Sequence, residues 1–473
     1  MGTAVGDDPI DPEVLDRMFA VSAATEDSPL MPNDQLDEWL VRRRQAYAFE
    51  VTRIPFAELS SWSFAPETGN LGHDSGRFFT IQGLHVRTDT QVWSQPIINQ
   101  PEIGILGIAV KEFDGVLHFL MQAKMEPGCV NAVQLAPTVQ ATRSNYTQVH
   151  GGRRPHFLDW FTEPSGVLVD TLQSEHGSWF LRKRNRNMIA FARGDAEGYD
   201  DFRWLTLGQI MRLLNQDDIV NMDARTVLAC IPFRRTTVNE NPAWTVAPGD
   251  PCSPSRWISH WLTDVRSRRE LVQQTVPCHA LTRWRRTYDE IFHVRRRHFT
   301  VIAVRVDAAS REVGSWTQPL VKPVGVGVAA MVVKELGGET KLLMQARVEA
   351  GLIDIAELAP TVQCLPVDYG HRPPPFLDYV LTAEEGRIRY DAVQSEEGGR
   401  FYHARTRYMV VEAEPAFEPT PHDGYVWVSL ADATALIARG YQVNVQARTL
   451  IAALHGSVHT RRDANGFLTM TAP

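Results

Sequence analysis

Cysteine is scarce in this sequence, and long apolar runs are missing. The 473 residues include only five cysteines, which lie far apart and form no CxxC pair. A disulfide framework and a zinc site are therefore not expected, and a reducing cytoplasm fits best. No apolar run reaches the length of about 18 residues that suggests a membrane-spanning helix. The acidic first residues also lack the apolar core of a signal peptide, so we predict a cytoplasmic protein.

Short motifs of several common chemistries are absent as well. No GxGxxG follows a strand-like run, and neither a GxxxxGK[ST] loop nor a GxSxG turn occurs. This disfavours dinucleotide- and ATP-dependent enzymes, and we predict no cofactor. No group of His, Asp and Glu has metal-ligand spacing, so no metal is predicted. The net charge of -8 argues against a nucleic-acid or membrane partner.

The sequence that is present contains one domain twice. The phrase QLAPTVQ at 134–140 returns as ELAPTVQ at 357–363, and FLMQAKMEPG, LQSEHGSWF and IVNMDARTVLACI each return about 220 residues later. Because the matches are collinear and cover most of the chain, they indicate a duplication. The predicted parts are an N-terminal extension at 1–36, repeat 1 at 37–232, a linker at 233–256 and repeat 2 at 257–473.

Within each repeat, apolar periodicity predicts strands followed by helices. The runs IGILGIAVKEF and VLHFLMQAK, with their counterparts VGVGVAAMVVKEL and KLLMQARVE, read as paired buried strands. LTLGQIMRLLNQ and VSLADATALIARG read as amphipathic helices, with Thr206 and Ser429 as N-caps. The predicted fold class is α+β (α/β), with two tandem duplicated domains, each a mixed sheet flanked by helices.

A basic segment at 174–188 is the first candidate for binding an anion. Its four cations suit phosphate, which guanidinium groups bind through two parallel hydrogen bonds: Arg182, Lys183, Arg184 and Arg186. If the segment is a strand, its three arginines share one face. A solvated basic face, or ion pairs with the carboxylates that precede each segment, is the competing interpretation. Those carboxylates and the retained arginines of repeat 2 are Glu175, Glu396, Arg405 and Arg407.

A second candidate is the segment that follows the repeated phrase. It reads as a loop near glycines, and its side chains suit proton transfer and hydroxyl or anion binding: Arg143, Asn145, Tyr146 and His150. The shorter copy in repeat 2 keeps Tyr369, His371 and Arg372. An ordinary polar loop explains the same pattern.

The third candidate group comprises His73, Arg77, Trp62 and Trp93, whose tryptophans stack on a base or simply fill the core.

These phrases, together with the duplication, resemble the NDP-hexose 2,3-dehydratases of bacterial deoxysugar biosynthesis. The carrying motifs are QLAPTVQATRSNYTQVHGG, LQSEHGSWFLRKRNRNM, WLTLGQIMRLL, VNMDARTVLACI and ELAPTVQC. The resemblance implies tandem Nudix-like domains in a homodimer, with a nucleotide-sugar pocket in each half. It implies TDP-4-keto-6-deoxyglucose as substrate and a separate NADPH-dependent 3-ketoreductase that receives the product. Neither half shows the acidic REUXEE helix of Nudix hydrolases, which disfavours metal-dependent pyrophosphate cleavage.

The resemblance also implies roles for the candidate residues. Repeat 1 is expected to hold the main active site, with Tyr146, His150, His73 and Glu175 as proton-transfer candidates. The substrate-binding candidates are Trp62, Arg77, Trp93, Arg143, Asn145, Arg182, Lys183, Arg184 and Arg186. The second pocket is assigned Tyr369, His371, Arg372, Glu396, Arg405 and Arg407. Two other functions stay open, a Nudix-type nucleoside diphosphate hydrolase and a non-catalytic nucleotide-sugar-binding protein.

Overall fold

The structure is a computed structural model. It describes residues 12–46, 49–143, 154–238, 241–246, 255–308, 314–336, 339–369, 373–417, 423–457, 461–462 and 468–469. The predicted site residues Asn145, Tyr146, His150, His371 and Arg372 lie outside this part of the chain. No helix of the described residues is long and apolar enough to cross a membrane.

The helices and strands alternate in the same order in the two repeats. The helices are α1 (Pro12–Ala24), α2 (Asn33–Ala46), α3 (Asp159–Thr162), α4 (Leu207–Leu214), α5 (Met222–Leu228), α6 (Arg256–Arg268), α7 (Pro366–Tyr369), α8 (Leu377–Leu381), α9 (Leu430–Ala438) and α10 (Val445–Ser457). The strands up to the junction are β1 (Phe49–Ile54), β2 (Trp62–Phe64), β3 (Leu71–His73), β4 (Thr80–Thr88), β5 (Val92–Asn99), β6 (Gly104–Phe113), β7 (Val116–Met125), β8 (Val133–Ala136), β9 (Val139–Ala141), β10 (Val167–Ser174), β11 (Arg184–Phe191), β12 (Phe202–Thr206), β13 (Phe233–Val238) and β14 (Asn241–Val246). The strands after it are β15 (Leu271–Val276), β16 (Trp284–Arg286), β17 (Glu290–His293), β18 (Phe299–Ala308), β19 (Ser315–Pro323), β20 (Gly327–Leu336), β21 (Glu339–Arg347), β22 (Glu357–Ala359), β23 (Val362–Cys364), β24 (Ile388–Ser395), β25 (Arg405–Glu412), β26 (Tyr425–Ser429), β27 (Arg461–Arg462) and β28 (Leu468–Thr469).

Each repeat is built on a seven-stranded mixed sheet. In repeat 1 the order is β10-β11-β6-β7-β12, with β8 beside β7 and β9 beside β6. In repeat 2 the order is β24-β25-β20-β21-β22, with β23 beside β20 and β26 beside β21. The pairs β6/β11 and β20/β25 are parallel, and the other neighbours are antiparallel. The predicted architecture, two duplicated α+β domains with mixed sheets flanked by helices, is confirmed.

Local sequence explains where the flanking helices begin. The Thr206 hydroxyl accepts from the Gln209 amide N–H, and the Gln209 side chain accepts from the Thr206 amide, so α4 starts with a capping box. The Ser429 hydroxyl accepts from the Asp432 amide in the same way at the start of α9. Both N-cap predictions are confirmed. The apolar sides of α4, α5, α9 and α10 join both large sheets in one continuous core.

A smaller sheet in each repeat takes its edge strand from the other repeat. Strand β1 precedes repeat 1's own strands but pairs with β18, so that Phe49 lies opposite Ala308. Strand β15 of repeat 2 pairs in the same way with β4, with Leu271 opposite Thr88. Each exchange is a full antiparallel ladder of backbone hydrogen bonds. The two repeats are therefore consecutive in sequence but interleaved in space, and the predicted domain boundaries remain a prediction.

The predicted N-terminal extension includes a helix that packs on repeat 1. Phe19 of α1 and Trp39 of α2 are buried in the continuous core. The Trp39 indole N–H donates to the Asp200 carbonyl oxygen at 2.8 Å, and the Ser22 hydroxyl donates to the Leu117 carbonyl oxygen at 2.5 Å. These contacts cover one side of repeat 1.

Two buried arginines connect the repeats reciprocally. Arg225 on α5 donates from Nη2 to the carbonyl oxygen of Ser395 at 2.7 Å. Arg448 on α10 donates from Nη2 to the carbonyl oxygen of Ser174 at 2.6 Å. Each guanidinium also binds a carbonyl oxygen five residues earlier in its own repeat. Both side chains have no solvent exposure, and their hydrogen bonds hold two loops, each from the opposite repeat, in place.

We expect Arg225→Ala and Arg448→Ala each to lower the free energy of unfolding by about 3–5 kcal/mol. Each change leaves a buried carbonyl oxygen, on Ser395 or Ser174, without its charged donor. The measurement is chemical denaturation followed by circular dichroism. The control is Arg186→Ala, whose partly exposed ion pair contributes about 0–1 kcal/mol. Equal denaturation midpoints for Arg186→Ala, Arg225→Ala and Arg448→Ala would contradict a special role of the two buried arginines in stability.

Candidate active site

Two loops cross between the repeats and dock on the opposite sheet. Crossing loop 1 is 174–180, and crossing loop 2 is 395–401. Crossing loop 2 lies against Gly128, whose amide donates to the Gly398 carbonyl oxygen at 2.7 Å, and crossing loop 1 lies against Gly351, whose amide donates to the Gly177 carbonyl oxygen at 2.6 Å. A Cβ on either Gly128 or Gly351 would lie 1.7 Å from a carbonyl oxygen of the docked loop. Glycine is therefore required in both MEPG and VEAG by this close approach.

A cavity of about 670 Å³ opens where crossing loop 1 meets repeat 2. Its walls come from both repeats, because Trp93 and Trp179 of repeat 1 face Trp284 and Phe299 of repeat 2. Its size is in the range of small-molecule and cofactor sites. The aromatic side chains offer apolar surface on which a planar group can stack.

The same cavity is positively charged. Four arginines line it, and no aspartate or glutamate is among the described lining residues: Arg283, Arg295, Arg297 and Arg347. The cavity lining adds the neutral amides of Gln95, Gln363 and Gln446, and Gln446 Nε2 lies 2.9 Å from His176 Nε2. A cavity with cationic walls and neutral hydrogen-bonding groups suits an anionic ligand such as a diphosphate.

Repeat 1 carries a different set of polar and charged side chains at the aligned positions. Lys124, Asn185 and Asp223 stand in the alignment where the cavity of repeat 2 has an arginine, a threonine and a glutamine. Crossing loop 2 supplies Glu397 and Arg400, where crossing loop 1 supplies a histidine and a tryptophan. The resulting group is called the charged cluster below. Its members are Lys124, Glu126, Glu175, Lys183, Asp223, Glu397 and Arg400.

Neutral side chains hold two glutamates of the charged cluster. Gln140 donates from Nε2 to Glu126 Oε1 at 2.7 Å, and Asn185 donates from Nδ2 to Glu175 Oε1 at 2.7 Å. The Lys183 ammonium donates to a backbone carbonyl oxygen rather than to a carboxylate. Both glutamates are buried, so these amides fix their positions away from bulk water.

Burial moves the titrating groups of the charged cluster toward neutrality. It raises the pKa of Glu397 to about 7, against the opposing effect of the nearby Arg400 guanidinium. It lowers the pKa of Lys183 to about 8. Burial also raises the pKa of Glu175 and, together with the neighbouring carboxylates, raises the pKa of Asp223 well above its ordinary range. Groups that exchange protons near neutral pH in one buried place are typical of active sites.

Three carboxyl groups of the cluster each keep one buried oxygen without a hydrogen-bond partner among the described residues. These are Glu175 Oε2, Asp223 Oδ1 and Glu397 Oε2. An unpartnered buried oxygen is costly, and in native structures it often marks a place that a ligand or water completes. Among the described residues, no group of three or more His, Cys, Asp or Glu side chains has the arrangement of a metal site.

Comparison with known proteins agrees with this duplicated arrangement. The family model for NDP-hexose 2,3-dehydratase matches residues 33–231 and again residues 255–454. The chain belongs to the NDP-hexose 2,3-dehydratase family. A curated relative from Amycolatopsis orientalis is 49% identical over 94% of this chain and 94% of its own length. A second, from Saccharopolyspora spinosa, is 47% identical over 93% of this chain and 94% of its own.

Both relatives carry the name dTDP-4-dehydro-6-deoxy-alpha-D-glucopyranose 2,3-dehydratase. One solved structure, of an ADP compounds hydrolase, is 18% identical, covers 28% of this chain and 71% of its own, and has a TM-score of 0.18. A similarity this weak carries no argument about fold or function. The family assignment rests on the sequence match to both repeats.

In this member of the family, two predicted residues, Glu175 and Lys183, lie in the charged cluster. His73 ends β3 and Arg77 lies in the connection from β3 to β4, at positions that align with the cavity-lining His293 and Arg297 of repeat 2. The His73 ring is hydrogen-bonded to a serine hydroxyl, and burial lowers its pKa. His73 therefore corresponds to a cavity residue of repeat 2, and its role in repeat 1 stays a prediction.

The two predicted tryptophans have different places. Trp62 is buried in an aromatic core and packs against His73 with ring centroids 5.2 Å apart. Trp93 lies in the wall of the repeat 2 cavity, although it belongs to repeat 1 in sequence. Its indole N–H donates to Gln95, whose amide in turn donates to the Ser178 carbonyl oxygen. The interleaving of the repeats therefore moves Trp93 from the first pocket to the second.

The predicted arginine face does not form as a single surface. Arg182 precedes β11 and has a left-handed φ of 50°, so strand alternation does not extend to it. It donates from Nε to Gln273 of the exchanged strand at 2.9 Å. Arg184 is half-buried, and Arg186 donates two hydrogen bonds to Asp170, at 2.7 and 2.6 Å. Arg186 therefore pairs with Asp170 and not with Glu175, which the ion-pair alternative named, and Arg143 lies exposed at the border of the described part.

The predicted second-pocket residues also make structural contacts. Glu396 lies 3.1 Å from His176 across the crossing loops and accepts from the Tyr408 hydroxyl. Arg407 donates twice to Asp391, and Arg405 lies 3.7 Å from an aspartate of repeat 1. Tyr369 is the last residue of α7. None of the described predicted residues of this set is among those that line the cavity.

Sequence reasoning missed the residues that differ between the copies at equivalent places. The charged pair Glu397 and Arg400 aligns with His176 and Trp179, and Asp223 aligns with a glutamine. Those differences were readable from the alignment of the two repeats. The alignment does not show which site these residues join, because each crossing loop contributes to the site of the opposite repeat.

The repeated phrase differs in its first residue, which is Gln134 in repeat 1 and Glu357 in repeat 2, and both side chains contact the first residue of a crossing loop. Gln134 donates from Nε2 to the Ser395 hydroxyl at 2.8 Å, whereas the Ser174 hydroxyl donates to Glu357 Oε2 at 2.7 Å. Burial raises the pKa of Glu357 from 4.5 to about 7. The folded state therefore holds the Glu357 proton more tightly than the unfolded chain does.

We expect Glu357→Gln to remove a pH-dependent part of the stability. Because the folded pKa is raised, this stabilisation is full below pH 4.5 and is lost as the pH rises through about 7. The loss for the unchanged chain is on the order of 3 kcal/mol, at about 1.4 kcal/mol for each pKa unit. Denaturant unfolding at pH 5 and pH 8 measures it. The reciprocal change Gln134→Glu should introduce a similar dependence, and an unaltered pH profile in Glu357→Gln would refute the assignment.

Proposed function

We propose that this protein is a TDP-4-keto-6-deoxy-D-glucose 2,3-dehydratase, a carbon–oxygen lyase. The C4 ketone acidifies the C3 hydrogen, and a base removes that hydrogen to give an enolate. The C2 hydroxyl then leaves as water with the help of an acid, and the enol product becomes TDP-3,4-diketo-2,6-dideoxyglucose. No electrons are transferred overall, so the reaction needs no redox cofactor. The charged cluster is the observation that carries the proposal, since it holds buried groups that titrate near neutrality.

Repeat 1 is the proposed site of chemistry. Both repeats share one scaffold, but only repeat 1 combines Glu175, Asp223 and Glu397 in one place, with Lys183 beside them. At the positions aligned with Glu397 and Asp223, repeat 2 has His176 and Gln446 in its cavity wall, whereas the position aligned with Glu175 keeps a carboxylate, Glu396. An elimination needs one group to accept a proton and another to give one, and a carboxyl group whose pKa is about 7, as that of Glu397 is, can do either.

Repeat 2 is proposed to bind a second nucleotide sugar without being the main site of turnover. Its cavity offers arginines for the diphosphate and tryptophans for the base. Binding energy from the nucleotide, remote from the reacting carbon atoms, is the handle by which either pocket positions the sugar. The resemblance further supports a homodimer, a cytoplasmic location and transfer of the product to a separate NADPH-dependent 3-ketoreductase.

The direct test of the function is incubation with TDP-4-keto-6-deoxyglucose, with and without a 3-ketoreductase and NADPH, followed by product mass. Loss of one water, trapped by the reductase, is expected. Magnesium-dependent release of a nucleoside monophosphate would instead identify a Nudix-type hydrolase. Tight TDP binding without consumption of the keto sugar would identify a non-catalytic binding protein.

We expect proton-transfer changes in repeat 1 to lower kcat by at least about 100-fold. The changes are Tyr146→Phe and His150→Ala, and their matched controls at the aligned loop of repeat 2 are Tyr369→Phe and His371→Ala. Steady-state kinetics of the coupled reaction measures the effect. Loss of activity in the repeat 2 changes alone would show that the site assignment is reversed.

We expect the joint change of Arg295 and Arg297 to alanine to weaken one of two TDP-binding events by at least about tenfold, because charge-assisted hydrogen bonds to phosphate are lost. Isothermal titration calorimetry of TDP measures both events. The control is Arg296→Ala, which removes a neighbouring arginine that pairs with Glu290 and does not line the cavity. Two unaltered binding events in the double variant would contradict a ligand site in this cavity.

A further inference from the structure

Glu397 belongs to repeat 2 in sequence but faces the charged cluster of repeat 1. The docking of crossing loop 2 on Gly128 brings it there. A Cβ added to Gly399 would lie 3.5 Å from Glu397 Oε1 and 3.7 Å from Glu126 Oε1. Both carboxyl groups therefore border the space beside Gly399 that a side chain at this position would occupy.

The hydrogen bonds of the described residues leave one oxygen of the Glu397 carboxyl group unused. Its Oε2 atom is buried without a hydrogen-bond partner among the described residues. The aligned residue of crossing loop 1, His176, is instead in contact with Glu396 and Gln446. Two further acids of the cluster, Glu175 and Asp223, also keep an unpartnered oxygen, and both are nine-tenths buried or more. This place combines open polar atoms with a gap between carboxyl groups.

We propose that Glu397 is the general acid of the dehydration, which protonates the C2 hydroxyl as it leaves. This rests on the proposed function and extends it by assigning a catalytic residue from repeat 2 to the site of repeat 1. The carboxyl proton passes to the departing oxygen, the C2–O bond breaks, and one water is released. The base has taken one proton from C3 and Glu397 has given one proton to the leaving hydroxyl, so the number of protons on the enzyme is unchanged. Proton exchange with solvent returns both groups to their starting states.

The surroundings of Glu397 favour a proton donor rather than a permanent anion. Three carboxylates oppose its ionisation, and two cations favour it: Glu126, Glu175 and Asp223, against Lys183 and Arg400. Burial is the largest cause that raises the Glu397 pKa, the carboxylates add to it, and the balance leaves this pKa at about 7. A carboxyl group that is partly protonated at neutral pH can give its proton within each turnover and take it up again.

The test separates C3 proton removal from C2 hydroxyl departure. Glu397→Gln is compared with the unchanged protein in D2O, with two readouts, deuterium entry at C3 of the remaining substrate and water loss. We expect water loss to fall by at least about 100-fold while deuterium exchange at C3 continues. Glu397→Asp should restore part of the dehydration and shift the alkaline limb of the kcat–pH profile.

Three outcomes would overturn the proposal. Equal loss of exchange and dehydration in Glu397→Gln would assign Glu397 to C3 deprotonation or to structure, and an unaltered dehydration rate would remove it from the reaction. If Glu397→Asp does not shift the alkaline limb of the kcat–pH profile, another group is responsible for that limb. The control is Glu384→Gln, an exposed glutamate of the same repeat, with thermal unfolding of every variant. If the unchanged protein does not dehydrate the substrate, the proposed function itself fails, which is a separate result.

Discussion

The reciprocal binding of Arg225 and Arg448 to the opposite repeat is the constraint on which the rest of the arrangement depends. Each guanidinium is fully buried and holds the carbonyl oxygen at the root of one crossing loop. A buried cation needs all its donors satisfied, so the loop has little freedom to move away. With both loops held, the acidic residue at the tip of crossing loop 2 reaches repeat 1, and the histidine of crossing loop 1 reaches repeat 2.

Interleaving turns a simple duplication into two unequal composite sites. The exchanged strands β1 and β15 extend the small sheets, and the crossing loops close the large ones. Each site therefore combines a floor from one repeat with a wall from the other. A substitution in one copy alters the site of the other copy, so the repeats can diverge in function while their common scaffold is retained. The acids at 223 and 397 entered the same site from different repeats.

Much of the scaffold was predictable from local sequence. Continuous β-branched runs predicted the paired strands, and the caps at Thr206 and Ser429 predicted the helix starts, because both depend on neighbours close in the chain. The site was only partly predictable. Glu175, Lys183 and His73 were named from their motifs, whereas the cavity that Trp93 lines is built mainly from repeat 2. Arg186 was expected on an anion-binding face and is engaged by Asp170.

The sequence by itself determined that the chain holds one domain twice, that each copy is a mixed α+β unit, and which family it belongs to. These conclusions depend on letter matches, periodicity and capping, which are properties of the chain. Only the tertiary structure decided which side chains share a site. Glu397 and Glu126 are far apart in sequence and border one gap, since their meeting depends on long-range docking of a loop against a glycine. No local pattern encodes that distance, so alignment of the two copies identifies the residues that differ but not the site that each one joins.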